Sequence, residues 1–226
     1  MKVPRLFIPL NTDAYNWFLG GQKKWELRNY GRQFTEKNVF VNKVVELRKG
    51  YSNAEESIWG VVSEVLIFKT FTQVYEFIDY KEVIPIASSK EEAIAISENI
   101  LGNSDEKNSK LMLIGIKKIG EGIPDFLEID GKYIEEIMSL RKKTTIRLGR
   151  REYNHKVCIL FNNATAIIVI ISGTQTKNYS QLNSTDAQLD GFASLNDLLV
   201  ALKKHYPKIS ETDNVTIIEF NLMGGK

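Results

Sequence analysis

The stretch Gly21-Gln22-Lys23-Lys24-Trp25-Glu26-Leu27-Arg28 has a counterpart in the second half of the chain, Leu140-Arg141-Lys142-Lys143-Thr144-Thr145-Ile146-Arg147. In both stretches a Lys stands three residues before a Glu or a Thr, and an Arg follows two residues after that. Each stretch follows a short helical pattern and opens an extended one. The repetition predicts two related domains and, within each, the residues that meet a ligand.

The predicted elements around the two stretches come in the same order. A short strand and a helix precede each stretch, and two strands rich in β-branched residues follow it. A helix capped by Ser89 or Ser194 and a final strand close each half. We interpret the pattern as a diverged tandem duplication with domains at residues 1–120 and 121–226, joined at the Gly/Pro-rich segment 120–124.

The balance of strands and helices indicates the fold class. Each half combines several short strands with few helices, and the strands look mostly antiparallel. This predicts an α+β fold of two small β-barrels, closed or semi-closed, with helices at the rim. The late helix of each half is expected to cover one barrel mouth.

The charges are clustered rather than abundant. The formal net charge is only +2, so the chain as a whole is not a polycation. Between residues 141 and 151, however, there is no acidic residue among six basic ones: Arg141, Lys142, Lys143, Arg147, Arg150 and Arg151. Such a run is typical of a solvated surface, and it also marks where an anion would bind in this half.

Several site classes find no support in the sequence. Cys158 is the only cysteine, so an intramolecular disulfide is excluded, and we expect a buried core thiol. His155 and His205 belong to no metal-ligand spacing pattern, and the chain has neither a phosphate-binding Gly-rich loop nor a dinucleotide motif. We therefore predict no metal and no cofactor. Neither a secretory segment nor a bilayer-spanning apolar run is present, so we expect a cytoplasmic protein without a membrane partner.

Strand alternation indicates which motif side chains are available to a ligand. Successive side chains of a strand point to opposite faces, so Glu26 shares a face with Arg28 and Thr145 shares one with Arg147. Lys142, like its counterpart in the first stretch, lies at the turn between helix and strand. Its long side chain can reach the same point as the strand residues.

These motifs resemble a known family. The pattern Gly21-x-Lys23-x-x-Glu26-x-Arg28 matches the GxKxxExR signature of ASCH domains, which are PUA-like β-barrels. Residues 84–93, 147–151 and 186–195 are also similar to segments of that family. The resemblance covers nearly the whole chain, once in each half. It implies an RNA-associated role, with a cleft for RNA or a nucleotide where the signature residues meet.

Some small bacterial ASCH proteins are amidohydrolases that remove the acyl group from N4-acetylcytidine. The resemblance assigns their Lys to Lys142, their Thr nucleophile to Thr145 and their acidic residue to Asp190. A Thr hydroxyl needs a base to take its proton, and Lys142 would serve if its pKa were lowered. Asp190 would pass a proton to the leaving amine. This chain departs from those enzymes in having Leu140 where they have a Gly, which predicts a turn of different shape, and an Asp where they have a Glu.

The function expected first is binding of RNA, or of a nucleotide or nucleoside, in basic clefts. The candidate binding residues are Lys23, Glu26, Arg28, Arg32, Arg147, Arg150 and Arg151. Tyr30, Phe34, Tyr153 and Tyr179 lie in polar stretches and are candidates for stacking on bases. Amidohydrolase activity in the second domain, from Lys142, Thr145 and Asp190, is the alternative; Glu26 replaces the nucleophile in the first domain. A third reading is a non-catalytic protein-interaction module, in which these residues are an ordinary solvated strand edge and turn.

Overall fold

The structure, a computed structural model, describes residues 3–51, 56–102, 110–153 and 157–223. The chain divides into two compact units. One is Arg5–Ile123, here called the first unit. The second unit is Pro124–Lys226 together with Met1–Pro4. The division follows the end of a strand at Glu121, so Gly120 and Glu121 belong to that strand rather than to a linker.

The first unit contains five strands and three α-helices among the residues described. In chain order they are β1 Leu6–Leu10, α1 Thr12–Leu19, β2 Trp25–Asn29, β3 Val44–Lys49, β4 Ser57–Phe68, α2 Phe71–Phe77, α3 Lys90–Leu101 and β5 Leu111–Glu121. A single 3-10 turn, Tyr80–Glu82, lies between α2 and α3.

The second unit repeats this order. Its elements are β6 Asp125–Glu128, α4 Ile134–Met138, β7 Thr144–Leu148, β8 Val157–Phe161, β9 Ala166–Asn178, α5 Ser184–Leu189, α6 Leu195–His205 and β10 Asn214–Leu222. The 3-10 turns Gly131–Tyr133 and Tyr179–Gln181 precede α4 and α5. None of the helices described in either unit is long and apolar enough to cross a membrane.

The two sheets have the same topology. The strand order is β1-β3-β4-β5-β2 in the first unit and β6-β8-β9-β10-β7 in the second. In each sheet one strand pair is parallel, β1 with β3 and β6 with β8, and the other pairs are antiparallel. The sheets are curled half-barrels with flanking helices, so the predicted α+β class and the tandem repeat are confirmed.

The signature arginines connect the two ends of each curled sheet. Arg28 lies on edge strand β2, and its Nη2 donates to the carbonyl of Pro9 on the opposite edge strand β1, at 2.8 Å. Arg147 on β7 donates in the same way to the carbonyl of Glu128 on β6, at 2.6 Å. Strands at opposite ends of the order can be joined by one side chain only if the sheet curls. A second hydrogen bond to β1 in the first unit comes from Gln33, whose Nε2 donates to the Phe7 carbonyl at 3.1 Å.

A β-bulge is also repeated. In the first sheet Val62 pairs with Ile116 and Glu64 pairs with Gly115, so Ser63 between them is the extra residue. In the second sheet the pairing skips Ser172 in the same way, at the point where Glu219 meets Phe220. Bulges bend a strand and increase its local twist. Both half-barrels therefore bend their longest antiparallel pair at the matching place.

Each unit has apolar clusters on both faces of its sheet. In the first unit one cluster is built around Ile8, Leu47 and Ile58 and another around Phe71 and Val74. In the second unit the corresponding clusters contain Cys158 and Leu160, and Tyr179 and Leu198. Cys158 is fully buried, as predicted from the apolar run around it, and burial raises the pKa of its thiol to about 12.

Some elements differ from what the residue pattern predicts. Residues 39–47 are rich in β-branched residues and predict a strand, but β3 begins only at Val44. Thr12 or Asp13 could cap α1 by residue type, but Asn11 does so. Helix α5 was not predicted. The polar residues 173–178 predict a loop, but β9 continues through them because its backbone pairs with β10 over that whole length. The serine caps are confirmed: Ser89 Oγ accepts from Glu92 N and Ser194 Oγ from Asp197 N, both at 3.2 Å.

The turn before each motif lysine has the same shape in both units. The residue two places before the lysine has a left-handed backbone in each, with φ of 74° at Gly21 and 61° at Leu140. The amide of Lys23 donates to Trp17 O at 3.1 Å, and that of Lys142 to Glu136 O at 3.0 Å. The prediction that Leu140 would change the turn is therefore wrong. The hydrogen bonds hold the leucine in a conformation that costs about 1–2 kcal/mol for a residue with a Cβ.

We expect Leu140→Gly to stabilise the second unit by about 1 kcal/mol, because glycine adopts a positive φ without the Cβ clash. The gain is smaller than the full strain because glycine is also freer in the unfolded chain. The free energy of unfolding from denaturant titration checks this. Leu140→Ala is the matched control, since it removes the exposed side chain and keeps the Cβ; an equal gain from both variants would contradict the strain.

Candidate functional site

The residues directly before β2 and β7 are hydrogen-bonded to a segment that carries different chemistry in the two units. Lys24 N donates to Glu82 O at 2.9 Å, and Lys143 N donates to Leu189 O at 2.8 Å. The residues that follow those carbonyls, Val83 and Asp190, are therefore equivalent. The carbonyl of Val83 accepts a hydrogen bond from Lys23 Nζ, and that of Asp190 accepts one from Lys142 Nζ.

In the second unit the ammonium of Lys142 is buried beside Asp190. The side chain of Lys142 is 2% exposed, and its Nζ donates to the Asp190 carbonyl at 2.8 Å and forms an ion pair with Oδ1 of the same residue. The ring of Tyr133 lies 4.8 Å from the same nitrogen, which favours the charged form. Gly191 allows this approach: it has φ of 86°, and a Cβ there would lie 3.2 Å from Cβ of Lys142.

Burial shifts both groups of this pair towards their neutral forms. It lowers the pKa of Lys142, and the Asp190 carboxylate opposes that change while Arg147 adds to it. It raises the pKa of Asp190, with Lys142 as the main opposing influence. A lysine with a lowered pKa carries a larger neutral fraction near pH 7, and only the neutral amine can accept a proton.

The hydroxyl oxygen of Thr145 accepts a hydrogen bond from Arg147, whose guanidinium can only donate. Arg147 Nη1 donates to Thr145 Oγ1 at 2.6 Å and to the Ile146 carbonyl at 3.0 Å. Because a guanidinium has no acceptor, the hydroxyl proton of Thr145 points away from Arg147. The same guanidinium would stabilise negative charge that develops on the oxygen.

These side chains line a cavity of about 570 Å³ in the second unit, here called the main cavity. Asp190 Oδ2 is buried and has no hydrogen-bond partner among the residues described. Both polar and apolar residues line the cavity: Phe126, Leu127, Glu128, Ile129, Asp130, Tyr133, Lys142, Thr145, Ile146, Arg147, Arg151, Asp190, Phe192, Leu198, Ala201, Leu202, His205 and Tyr206. The volume is in the range of small-molecule sites.

In the first unit the charged motif residues form ion pairs with one another. Lys23 Nζ donates to Val83 O at 2.5 Å and lies 3.4 Å from Glu26 Oε2, while Arg28 Nη2 lies 2.7 Å from Glu26 Oε1. Lys23 and Glu26 are both buried. Glu26 thus supplies the negative charge that Asp190 supplies in the second unit, because Val83 has none to offer. Burial lowers the pKa of Lys23 as it does that of Lys142.

A buried tyrosine further fills the space behind Glu26. Tyr75 on α2 is 2% exposed, and its hydroxyl lies 2.5 Å from Ser97 Oγ on α3. Burial raises the pKa of Tyr75 to about 12, and the Glu26 carboxylate contributes to that shift. In the second unit the matching connection is the short turn Tyr179–Gln181, in which Tyr179 is also buried. The sites of the two units differ in the arrangement of their charges.

Only some of the remaining candidate residues line the main cavity. Arg151 is exposed and lines the main cavity, whereas Arg150 and Arg32 are exposed and are not among its lining residues. Tyr179 is 6% exposed within an apolar cluster, so the prediction that it stacks on bases is wrong. Among the residues described, no group of three or more His, Cys, Asp or Glu side chains could hold a metal ion.

The aromatic residues that do line the cavity were not predicted. Tyr133 precedes α4 and Phe192 follows α5, and their rings meet edge to face with centroids 5.9 Å apart. Tyr206 comes from the end of α6. The position of Phe192 two residues after Asp190 is the one sequence signal that could have identified it. The other two reach the site only through the curl of the sheet and the packing of α6.

The carboxylate beside the buried lysine lies on the strand in the first unit and on the opposing segment in the second, and this difference can be tested by substitution. Asp190→Val copies Val83 and leaves the buried Lys142 without a carboxylate, which costs about 3–5 kcal/mol of unfolding free energy. Adding Thr145→Glu copies Glu26 and should recover most of that loss. A double-mutant cycle by denaturant titration measures the coupling. Additive effects of the two changes would contradict the equivalence of the two arrangements.

Known proteins similar to this chain are found among solved structures. No family model matches the chain, and no curated protein matches it. Among solved structures it is similar to an ASCH domain from Lactobacillus crispatus, at 16% identity and a TM-score of 0.36 over 43% of this chain and 79% of that one.

It is also similar to the hypothetical protein PH0355, at 18% identity and a TM-score of 0.43 over 51% of this chain and 99% of that one. The corresponding values for protein PF0455 from Pyrococcus furiosus are 18% and 0.41, over 51% and 97%. An ASCH domain is thus among the solved structures to which this chain is similar.

Proposed function

We propose that the second unit binds a nucleobase, as part of an RNA strand or as a free nucleotide or nucleoside, in the main cavity. The observation that carries the proposal is an open cavity of about 570 Å³ that combines aromatic rings with cationic groups. Tyr133, Phe192 and Tyr206 offer surfaces on which a base can stack. A binding site is favoured over a pure protein-interaction module because this cavity is not filled by side chains.

Polar groups at the cavity would recognise the edge of the base and the backbone. Asp190 Oδ2, which is buried without a hydrogen-bond partner in the described structure, would accept a hydrogen bond from an exocyclic amino group. Arg151 is exposed at the cavity and would contact a phosphate. The first unit, whose Lys23, Glu26 and Arg28 pair with one another, would contribute less to this binding.

Arg151→Gln is expected to weaken RNA binding about three- to tenfold at low salt and to reduce the slope of log K against log salt by about one. Arg150→Gln is the matched control: Arg150 is the neighbouring exposed arginine and does not line the cavity. Fluorescence anisotropy with single-stranded and structured RNA over a salt series measures both. Equal effects of the two substitutions, or no RNA binding by the parent chain, would contradict the proposal.

The second candidate function is hydrolysis of an N4-acylated cytidine at the same place. It is supported by the combination of a lysine with a lowered pKa, a carboxyl group with a raised pKa, and a threonine hydroxyl whose proton points away from its arginine. These three groups line one cavity. Paired groups whose environments move their pKa values are typical of acid–base sites.

In this reaction the neutral amine of Lys142 takes the hydroxyl proton while Thr145 Oγ1 attacks the amide carbon. Arg147, already bonded to that oxygen, would limit the charge that builds on it. The carbon–nitrogen bond then breaks, and the proton passes through Asp190 or Lys142 to the amine of the leaving cytidine. Water hydrolyses the resulting threonine ester to release a carboxylic acid and to restore the hydroxyl.

Thr145→Ala is expected to lower the release of cytidine from N4-acetylcytidine by at least about a thousandfold, whereas Thr145→Ser should retain turnover because it keeps the hydroxyl. Chromatographic measurement of cytidine and acetate checks both variants. Loss of activity in the serine variant equal to that in the alanine variant would argue against a nucleophilic role. No turnover by the parent chain would exclude this substrate.

A further inference from the structure

A smaller cavity of about 260 Å³, here called the side cavity, adjoins the main cavity. The two share four lining residues, Asp130, Phe192, Ala201 and His205. The side cavity is completed by residues of α6 and of the turn before α4. The side cavity therefore borders the main cavity along α6 and Phe192.

The side cavity is suited to an apolar group. Phe192, Ala201 and Val200 form its apolar wall, and the exposed Lys132 and Lys204 can contribute their methylene stems while their charges stay in water. Val200 is 60% exposed, so its side chain is accessible to a ligand in the side cavity.

Both carboxylates at the side cavity already have partners. Asp130 accepts from the Lys132 amide at 3.1 Å, and its other oxygen lies 3.7 Å from Lys132 Nζ. Asp197 accepts from Ser194 Oγ at 2.7 Å and helps to cap α6. These bonds leave neither acid as a dedicated site for a cationic ligand.

Ala201 lies at the junction of the two cavities. It comes seven residues after the cap Ser194, and the residue seven places after the matching cap Ser89 is Ile96. The helix of the first unit thus has a large β-branched side chain where α6 has a methyl group. An isoleucine at position 201 would fill space at a residue that lines both cavities.

We propose that the side cavity holds the far end of an acyl chain longer than acetyl, and that Ala201 sets the chain length that the second unit accepts. The proposal rests on the proposed hydrolysis of N-acylated cytidines and names their acyl group. The amide carbon lies at Thr145 in the main cavity, and the chain runs past Ala201 towards Val200. The reaction is the hydrolysis described above, with the longer carboxylic acid as product.

The test uses the full chain carrying Thr145→Ala, so that the ligand is not consumed, and calorimetric titration with cytidine, N4-acetylcytidine and N4-hexanoylcytidine. The hexanoyl compound should bind at least about tenfold more tightly than the acetyl compound, because its additional methylene groups are buried. Ala201→Ile should reduce that ratio to about one. Val200→Asp, at an exposed position that tolerates the change, should also reduce it by placing a charge on the apolar wall.

Ile96→Ala, the reverse exchange in the first unit, is the matched control and should leave the ratio unchanged. An equal affinity for the acetyl and hexanoyl compounds, or an effect of Ile96→Ala as large as that of Ala201→Ile, would overturn the acyl subsite. Turnover by the parent chain separates the two proposals. Hydrolysis of N4-acetylcytidine without a preference for the longer chain refutes the subsite alone, and binding of none of the three compounds refutes both.

Discussion

The buried ammonium of the motif lysine is the constraint on which each half-barrel site depends. Lys23 and Lys142 are each removed from water at the same turn, and each donates to the carbonyl of the residue at the equivalent loop position. A buried charge requires a partner, because its desolvation costs several kcal/mol. The scaffold leaves two places from which a carboxylate can reach the lysine. One is on the strand, three residues after the lysine, and the other is on the loop that faces it.

The two units have their carboxylate at different positions, and the chemistry of each site follows from that position. With the carboxylate on the strand, Glu26 is held between Lys23 and Arg28, and the first unit has no threonine hydroxyl at that position. With the carboxylate on the loop, the strand position is free for Thr145, and Arg147 bonds to its hydroxyl. One fold therefore holds both a cluster in which the two oxygens of one carboxylate face Lys23 and Arg28 and a cluster with an unpartnered carboxylate oxygen at a cavity.

Sequence patterns were sufficient for the features that depend on local periodicity or on a repeated motif. They predicted the element order apart from α5, and they predicted the serine caps. They did not predict the left-handed Leu140, because the hydrogen bonds of the turn override the preference of a leucine. The length of β9 was missed because its last residues carry polar side chains while the backbone alone maintains the pairing. Tyr133 and Tyr206 were missed because they meet the site only through tertiary packing.

The hydrogen bonds that side chains make to edge strand β1 also affect whether the first sheet can associate with other chains. An edge strand with free backbone groups can template the addition of a further strand, which is a route to aggregation. On β1 the carbonyls of Phe7 and Pro9 already accept from Gln33 and Arg28, and Pro9 has no amide hydrogen to donate. The signature arginine that helps to neutralise Glu26 thus also makes this edge a poor template for an incoming strand.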